Sequence, residues 1–196
     1  MNRVLLILAV GLGVSVVGAR DLKAQRSGFI IGFGIGAGVT WFSVPGSGSD
    51  GEAGLATDFK IGAQVSQSVQ VYYLGRTNWF KPRAFEAKTS NRTLSLRRRG
   101  SFVVAAGISA IGVTYVLPSA PVHLSGGVGL ATWIDFGGGA VSFSGPGLTG
   151  GVGWEFADLW LLDFALTYGN LRDVFPGEPV NMDVFLARIG ISILSH

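Results

Sequence analysis

From Gly28 to Trp41 the chain alternates without a break. Phe29, Ile31, Phe33, Ile35, Ala37, Val39 and Trp41 are apolar, and between them lie Ile30, Gly32, Gly34, Gly36, Gly38 and Thr40, nearly all tiny or polar. A period of two sends successive side chains to opposite faces of a β-strand. A half-buried strand of a soluble protein would carry charged or large polar residues on its second face. Here the second face is mostly glycine, and the bulky face ends in tryptophan. That pattern suits a membrane barrel strand, with large apolar groups toward lipid and an aromatic at the interface.

The same alternation recurs down the chain. Leu55–Val65 places Leu55, Thr57, Phe59, Ile61, Ala63 and Val65 toward lipid, with Asp58 and Lys60 inward. A tight turn at Ser66–Ser68 leads into Val69–Trp79, with Arg76 inward. Phe102–Val116 is harder to phase. Phe102, Val104, Ala106 and Ile108 begin on one face, Ile111, Val113 and Tyr115 end on the other, and a β-bulge near Ser109 or Ala110 would reconcile them. After a turn at Pro118–Pro121, Val122–Phe136 carries His123, Ser125, Trp133 and Asp135 inward. Leu148–Phe156 has Glu155 inward, Leu159–Tyr168 has Asp163 inward, and Asn181–Leu194 has Asp183, Arg188 and Ser192 inward. Trp41, Trp79, Trp154, Trp160 and Tyr168 fall at strand ends, where interfacial aromatic girdles belong.

Between these strands, Ser43–Ala53, Phe80–Gly100, Gly137–Gly147 and Asn170–Pro179 read as four longer loops, against three short turns. Short turns at one end and long loops at the other are the asymmetry of periplasmic turns and extracellular loops. The pattern therefore predicts an all-β fold, an eight-stranded antiparallel up-and-down transmembrane β-barrel. Closure is close to obligatory, because an open sheet edge cannot be satisfied in lipid.

Composition supports export to a membrane. Among 196 residues there are 31 glycines, 14% charged residues and no cysteine, and the mean hydropathy is +0.45. The absence of cysteine removes disulfides, Cys-based metal sites and a lipoprotein anchor. Arg3 and the apolar run Val4–Val17, 14 residues long, read as a leader with cleavage after Ala19 or Ala24. That run is short for a membrane-spanning helix, the minority alternative. Residues 1–24 are thus the expected cleaved signal peptide, and residues 25–196 the barrel. The net charge of +3 is too small to imply nucleic acid, but it is unevenly placed. Lys81, Arg83, Lys88, Arg92, Arg97, Arg98 and Arg99 crowd the second loop, opposed only by Glu86. The plain reading is a solvated hairpin; the sharper one is contact with the phosphates of lipopolysaccharide.

In this pattern, and in the segments GFGIGAGV and GGVGLATW, the chain resembles the small eight-stranded outer-membrane β-barrel proteins of Gram-negative bacteria, the OmpA-barrel/OmpX-like class. The resemblance covers roughly Gly28 to His196 and rests on architecture. It implies residence in the bacterial outer membrane. Outer-membrane lipids and lipopolysaccharide would be partners, with the barrel-assembly machinery during insertion, and the protein would be a monomer. Such barrels usually end in an aromatic residue, whereas this sequence ends Ser195-His196.

Three constellations are candidates for chemistry. The glycines at 32, 34, 36 and 38 are spaced strictly by two and precede no helix, so they are no dinucleotide fingerprint; they leave room in the interior. His123 and Ser125 share a face, with Asp135 or Glu155 available as a third member, and resemble the His-x-Ser of lipid A deacylases. That chemistry needs lipid-facing residues, and the phase turns both inward. The inward charges Asp58, Lys60, Arg76, Asp135, Glu155, Asp163 and Arg188 carry both signs, which fits a salt-bridged plug better than a water-filled pore. No cofactor or metal site emerges, and with only His123 and His196 a zinc site has few ligands. The expected role is non-enzymatic, structural or in surface interaction. A narrow channel for small solutes is the alternative, and a lipid A-modifying enzyme the more distant one.

Overall fold

The computed structural model describes residues 28–44, 48–81, 86–88, 93–95, 103–136, 142–173 and 181–195. The expected signal peptide and the basic residues Arg83, Arg92, Arg97, Arg98 and Arg99 lie outside them. The described residues form ten strands: β1 Gly28–Val44, β2 Gly48–Ser66, β3 Val69–Phe80, β4 Glu86–Lys88, β5 Thr93–Ser95, β6 Val104–Val116, β7 Val122–Asp135, β8 Ser142–Ala157, β9 Trp160–Asp173 and β10 Asn181–Ser195. Eight of them close into an antiparallel barrel in the order β1-β10-β9-β8-β7-β6-β3-β2, and β4 and β5 pair as a separate hairpin. The closing seam runs without a register shift from Ile31 opposite Ser195 to Ser43 opposite Asp183. No strand edge is left unpaired in the barrel, as a hydrocarbon environment demands.

Three tight turns join β2–β3, β6–β7 and β8–β9 at one end, where both Gly28 and Ser195 also lie. In the last of these turns Leu159 takes a positive φ of 70°, unusual for a residue with a Cβ. At the other end β3–β6, β7–β8 and β9–β10 are joined by longer connections, whereas only three residues separate β1 from β2. Phe33, Ile35, Val128, Phe164, Leu166, Ile189 and Ile191 expose their side chains around the outside of the wall. Trp154 and Trp160 ring the turn end of this apolar band, and Trp41, Trp79 and Tyr168 ring the loop end. Phe164 stands midway between Trp160 and Tyr168 on β9, in the middle of the apolar band. Phe164→Arg is therefore expected to destabilise the folded barrel by roughly 2–4 kcal/mol. Denaturant titration of the barrel in phospholipid bilayers checks this, and an unchanged midpoint would mean that the face is not lipid-exposed.

Three expectations need correction. Ser43–Ala53, Gly137–Gly147 and Asn170–Pro179 are not wholly loops: β2 begins at Gly48, β8 at Ser142, and β9 continues to Asp173. The barrel wall is longer than lipid requires, since β2 runs 19 residues and a transmembrane strand needs about 9–11. The bulge near Ser109 or Ala110 is absent, because β6 keeps unbroken register with both β3 and β7. Instead Val104, Ala106 and Ile108 continue inward as Ala110, Gly112 and Thr114, and the outward positions beside them are the small Ala105, Gly107 and Ser109. Asp183 faces outward, an odd number of residues from the inward Arg188. The physical reason for most of these errors is the same: the loop-side half of the interior is apolar, so the contrast between the two faces disappears there.

Candidate functional site

The barrel interior is the best-defined assembly of polar groups in the chain, and it is filled in layers. On the loop side Phe42, Val44, Phe80, Val104, Ala106, Ala131, Trp133, Phe143, Leu171, Met182, Val184 and Leu186 pack into one apolar cluster. Trp133 is fully buried at its centre, with the rings of Phe42 and Phe80 edge-on at centroid distances of 5.0 and 5.4 Å. Edge-to-face packing at this separation is the favoured aromatic geometry. The sequence placed Trp133 inside but gave no hint that it is the hub of a plug.

Toward the turns lies an ionic layer. All seven charges expected inside are inward and buried. Arg188 Nη2 lies 3.0 Å from Asp58 Oδ2, and Arg188 Nη1 donates to the Thr57 carbonyl at 2.9 Å. Lys60 Nζ lies 4.0 Å from Asp163 Oδ1 and 5.8 Å from the centre of the Tyr72 ring. Ser192 donates its hydroxyl to Asp163. Arg76 finds a hydroxyl: its Nη1 donates to Thr149 Oγ1 at 2.8 Å, and Thr149 in turn donates to the Leu166 carbonyl at 2.9 Å. Asn78 donates to Thr40 Oγ1 at 3.2 Å, and the Tyr72 and Thr114 hydroxyls pair at 2.8 Å. Charges sealed from water must find such partners, since their desolvation is otherwise uncompensated.

Glu155 lies near the turn end, with its Oε2 3.3 Å from His123 Nε2. Asp135 lies near the loop end, one inward step beyond Trp133 on β7. Ser125 donates to the Gly151 carbonyl at 3.3 Å. The structure thus brings His123 and Glu155 together inside the wall while the Ser125 hydroxyl is given to the backbone, and neither His123 nor Ser125 reaches lipid. Among the described residues, no group of three or more potential ligands could hold a metal ion.

The inward glycines do more than leave room. A Cβ at Gly38 would stand 2.5 Å from the Asn78 amide, and one at Gly34 would stand 2.4 Å from Asp58 Oδ1. The polar side chains of the ionic layer occupy the space that those glycines vacate.

At the loop-end rim, two rows cross the outer face. The lower is aromatic: Trp41, Phe185 and Tyr168 are successive cross-strand neighbours on β1, β10 and β9. Trp41 and Phe185 sit 5.7 Å apart, and the Trp41 indole covers Gly51, where a Cβ would meet it at 2.8 Å. The upper row is polar: Ser49, Ser43, Asp183 and Asn170 are successive neighbours on β2, β1, β10 and β9. Tyr168 Oη and Asn170 Nδ2 both donate to Asp183 Oδ1 at 2.8 Å. On the other side, Trp79 stacks with Phe136 at 6.1 Å and donates to Thr57 Oγ1 at 2.9 Å. Of the basic loop, Lys81 is described and exposed, and Lys88 lies on β4.

No family model matches the sequence, and no curated protein sequence matches it. Solved structures do. The attachment invasion locus protein Ail of Yersinia pestis is 14% identical, with 85% of this chain and 98% of that one covered at a TM-score of 0.54. Neisserial surface protein A is 13% identical, covering 84% and 96%, with a TM-score of 0.53. OprG of Pseudomonas aeruginosa is 12% identical, covering 87% and 97%, with a TM-score of 0.53. At these identities the likeness carries the fold. The chain has the architecture of the small eight-stranded outer-membrane barrels, the OmpA/OmpX-like class.

Proposed function

We propose that this barrel is exported behind a cleaved signal peptide, inserted into the bacterial outer membrane, and works there as a non-enzymatic structural or surface-interaction protein. The observation that carries the reading is the filled interior within an apolar outer wall. A plug built on Trp133 above paired charges leaves the outer band and the loop end as the surfaces available for contact. The basic stretch from Lys81 to Arg99 then acts as a contact for lipopolysaccharide phosphates at the outer leaflet. The inward placement of His123 and Ser125 weighs against lipid A chemistry, and the aromatic plug weighs against a solute channel.

Expression with the native leader in a Gram-negative host tests both halves. The protein is expected in the outer-membrane fraction as a band that shifts on boiling. After purification it is expected to give no resolved conductance steps in planar bilayers. A soluble band unmoved by heating would end the membrane reading, and reproducible steps would establish the channel instead.

A further inference from the structure

Among the described residues, Arg76 is a buried cation with no carboxylate partner. It stands directly opposite Asp58 in the β2–β3 register, and both side chains are buried inside the barrel. Asp58 is taken by Arg188 at 3.0 Å, and the Arg76 guanidinium instead crosses the lumen to the Thr149 hydroxyl on β8. That is its one hydrogen bond among the described residues. Arg76 is 3% exposed, and its Nε is buried without a partner. Arg188 Nε is buried without a partner too, and the two guanidiniums are near enough for their charges to oppose each other. Buried donors left unpaired are costly, and a buried charge left uncompensated is more so.

We infer that the ionic layer binds a small monovalent inorganic anion, of the chloride class, at the Arg76 guanidinium with Arg188 beside it. The charges call for one negative ion. Lys60, Arg76 and Arg188 face Asp58 and Asp163, three cations to two carboxylates. The other buried acids are remote. Glu155 is six residues beyond Thr149 on β8 (155 − 149), about 20 Å at the rise of a strand, and it meets His123. Glu52 is also six residues from Asp58 on β2 (58 − 52), toward the loops. Asp135 is eight residues beyond Gly127, the ladder neighbour of Thr149 (135 − 127). The wall around Thr149 supplies no negative group either. Gly127, Gly151 and Ala165 flank it, and the Thr149 and Thr167 hydroxyl protons are already given, to the Leu166 carbonyl and to Thr149. Water would satisfy the free Nε–H groups and leave the charge standing, whereas an anion answers both. An eight-stranded barrel is only wide enough for its side chains, which favours a halide over a polyatomic anion. The plug around Trp133 closes the loop side, so the ion enters from the turns and stays bound, without being conducted.

Urea unfolding of the full chain in non-ionic detergent micelles tests this, with sodium gluconate replaced stepwise by sodium chloride at constant ionic strength. Gluconate is too bulky for the lumen, so chloride alone can occupy the site. Arg76→Met removes the cation and sets the baseline for general salt effects. Relative to that variant, the folding constant of the native chain is expected to rise with chloride. The rise should approach tenfold per tenfold of chloride once the dissociation constant is passed, as for any ligand of the folded state. Bromide is expected to act as chloride does. Lys81→Met, at an exposed position outside the interior, is expected to respond as the native chain does. Each variant is first checked for the boiling-dependent gel shift. Crystals of the native chain grown in sodium bromide supply the direct reading, an anomalous bromine peak beside the Arg76 guanidinium. The same chloride response in the native chain and Arg76→Met would overturn the inference, and so would water at that place in the bromide crystals. Should Arg76→Met not fold, the bromide crystals decide alone.

Discussion

Gly36→Val is expected to prevent the barrel from closing. A Cβ at Gly36 would stand 2.1 Å from the Ile189 carbonyl oxygen and 2.4 Å from the Gly190 Cα. Both are backbone atoms of the neighbouring strand, so no side-chain rotation relieves the clash. The position lies within the β1–β10 seam, where Gly36 is paired with Gly190. Moving the strands apart there would break the ladder that removes the sheet's edges. The cost is expected to exceed about 4 kcal/mol, the range reserved for substitutions that the native backbone cannot absorb. Refolding into detergent and comparing boiled with unboiled samples reads this as loss of the folded band. Gly75→Val provides the contrast. Gly75 faces outward on β3, and a Cβ there would meet nothing within 4 Å. Valine also favours a strand where glycine does not. This variant is expected to fold as the native chain does, so equal behaviour of the two would refute the close approach at the seam.

The contrast between these two glycines also shows what was legible in the sequence. Strict alternation located β1, β3, β7 and the lipid-facing sides of β8, β9 and β10, because those stretches oppose bulky apolar residues to small or polar ones. It placed Asp58, Lys60, Arg76, Asp135, Glu155, Asp163 and Arg188 inside. Pattern reading lost its grip where both faces are apolar. In β1 the sequence Trp41-Phe42 gives one aromatic to lipid and the next to the plug, so the end of the strand looks like the start of a loop. In β6 the inward Val104 and Ile108 are larger than the outward Ala105 and Ser109, which inverts the expected order and mimics a bulge. Parity alone was the better guide there, and it would also have put Asp183 outside. Pairings between charges were not legible at all. Asp58 meets Arg188 from β10, 130 residues away in sequence (188 − 58), because closure brings the first and last strands together. The partition of the interior into an apolar plug and an ionic layer likewise depends on strand stagger, which a single sequence does not fix.

The ionic layer makes its own prediction, and it bears on function. Arg188→Met is expected to destabilise the barrel by roughly 3–5 kcal/mol, because it leaves the Asp58 carboxylate buried with its charge uncompensated. The geometry makes Asp58 especially dependent on that charge. Its Oδ2 lies 3.0 Å from Arg188 Nη2, yet neither of its oxygens accepts a well-aligned hydrogen bond among the described residues. Asp58→Asn removes the other partner and is expected to be costly for the converse reason, a buried guanidinium that has lost its paired carboxylate. The double variant Asp58→Asn with Arg188→Met removes both charges, and it is expected to recover much of the loss. The coupling between the two sites should then exceed about 2 kcal/mol, within the range for contacting groups in one network. Tryptophan fluorescence during urea unfolding in micelles supplies the four stabilities of the cycle. If each single variant costs under about 1 kcal/mol and the effects add, the pair is screened by water. A wet ionic layer would mean that the interior is open from the turn side as far as Asp58. Only the plug around Trp133 would then separate the two mouths, and the solute channel would regain its case.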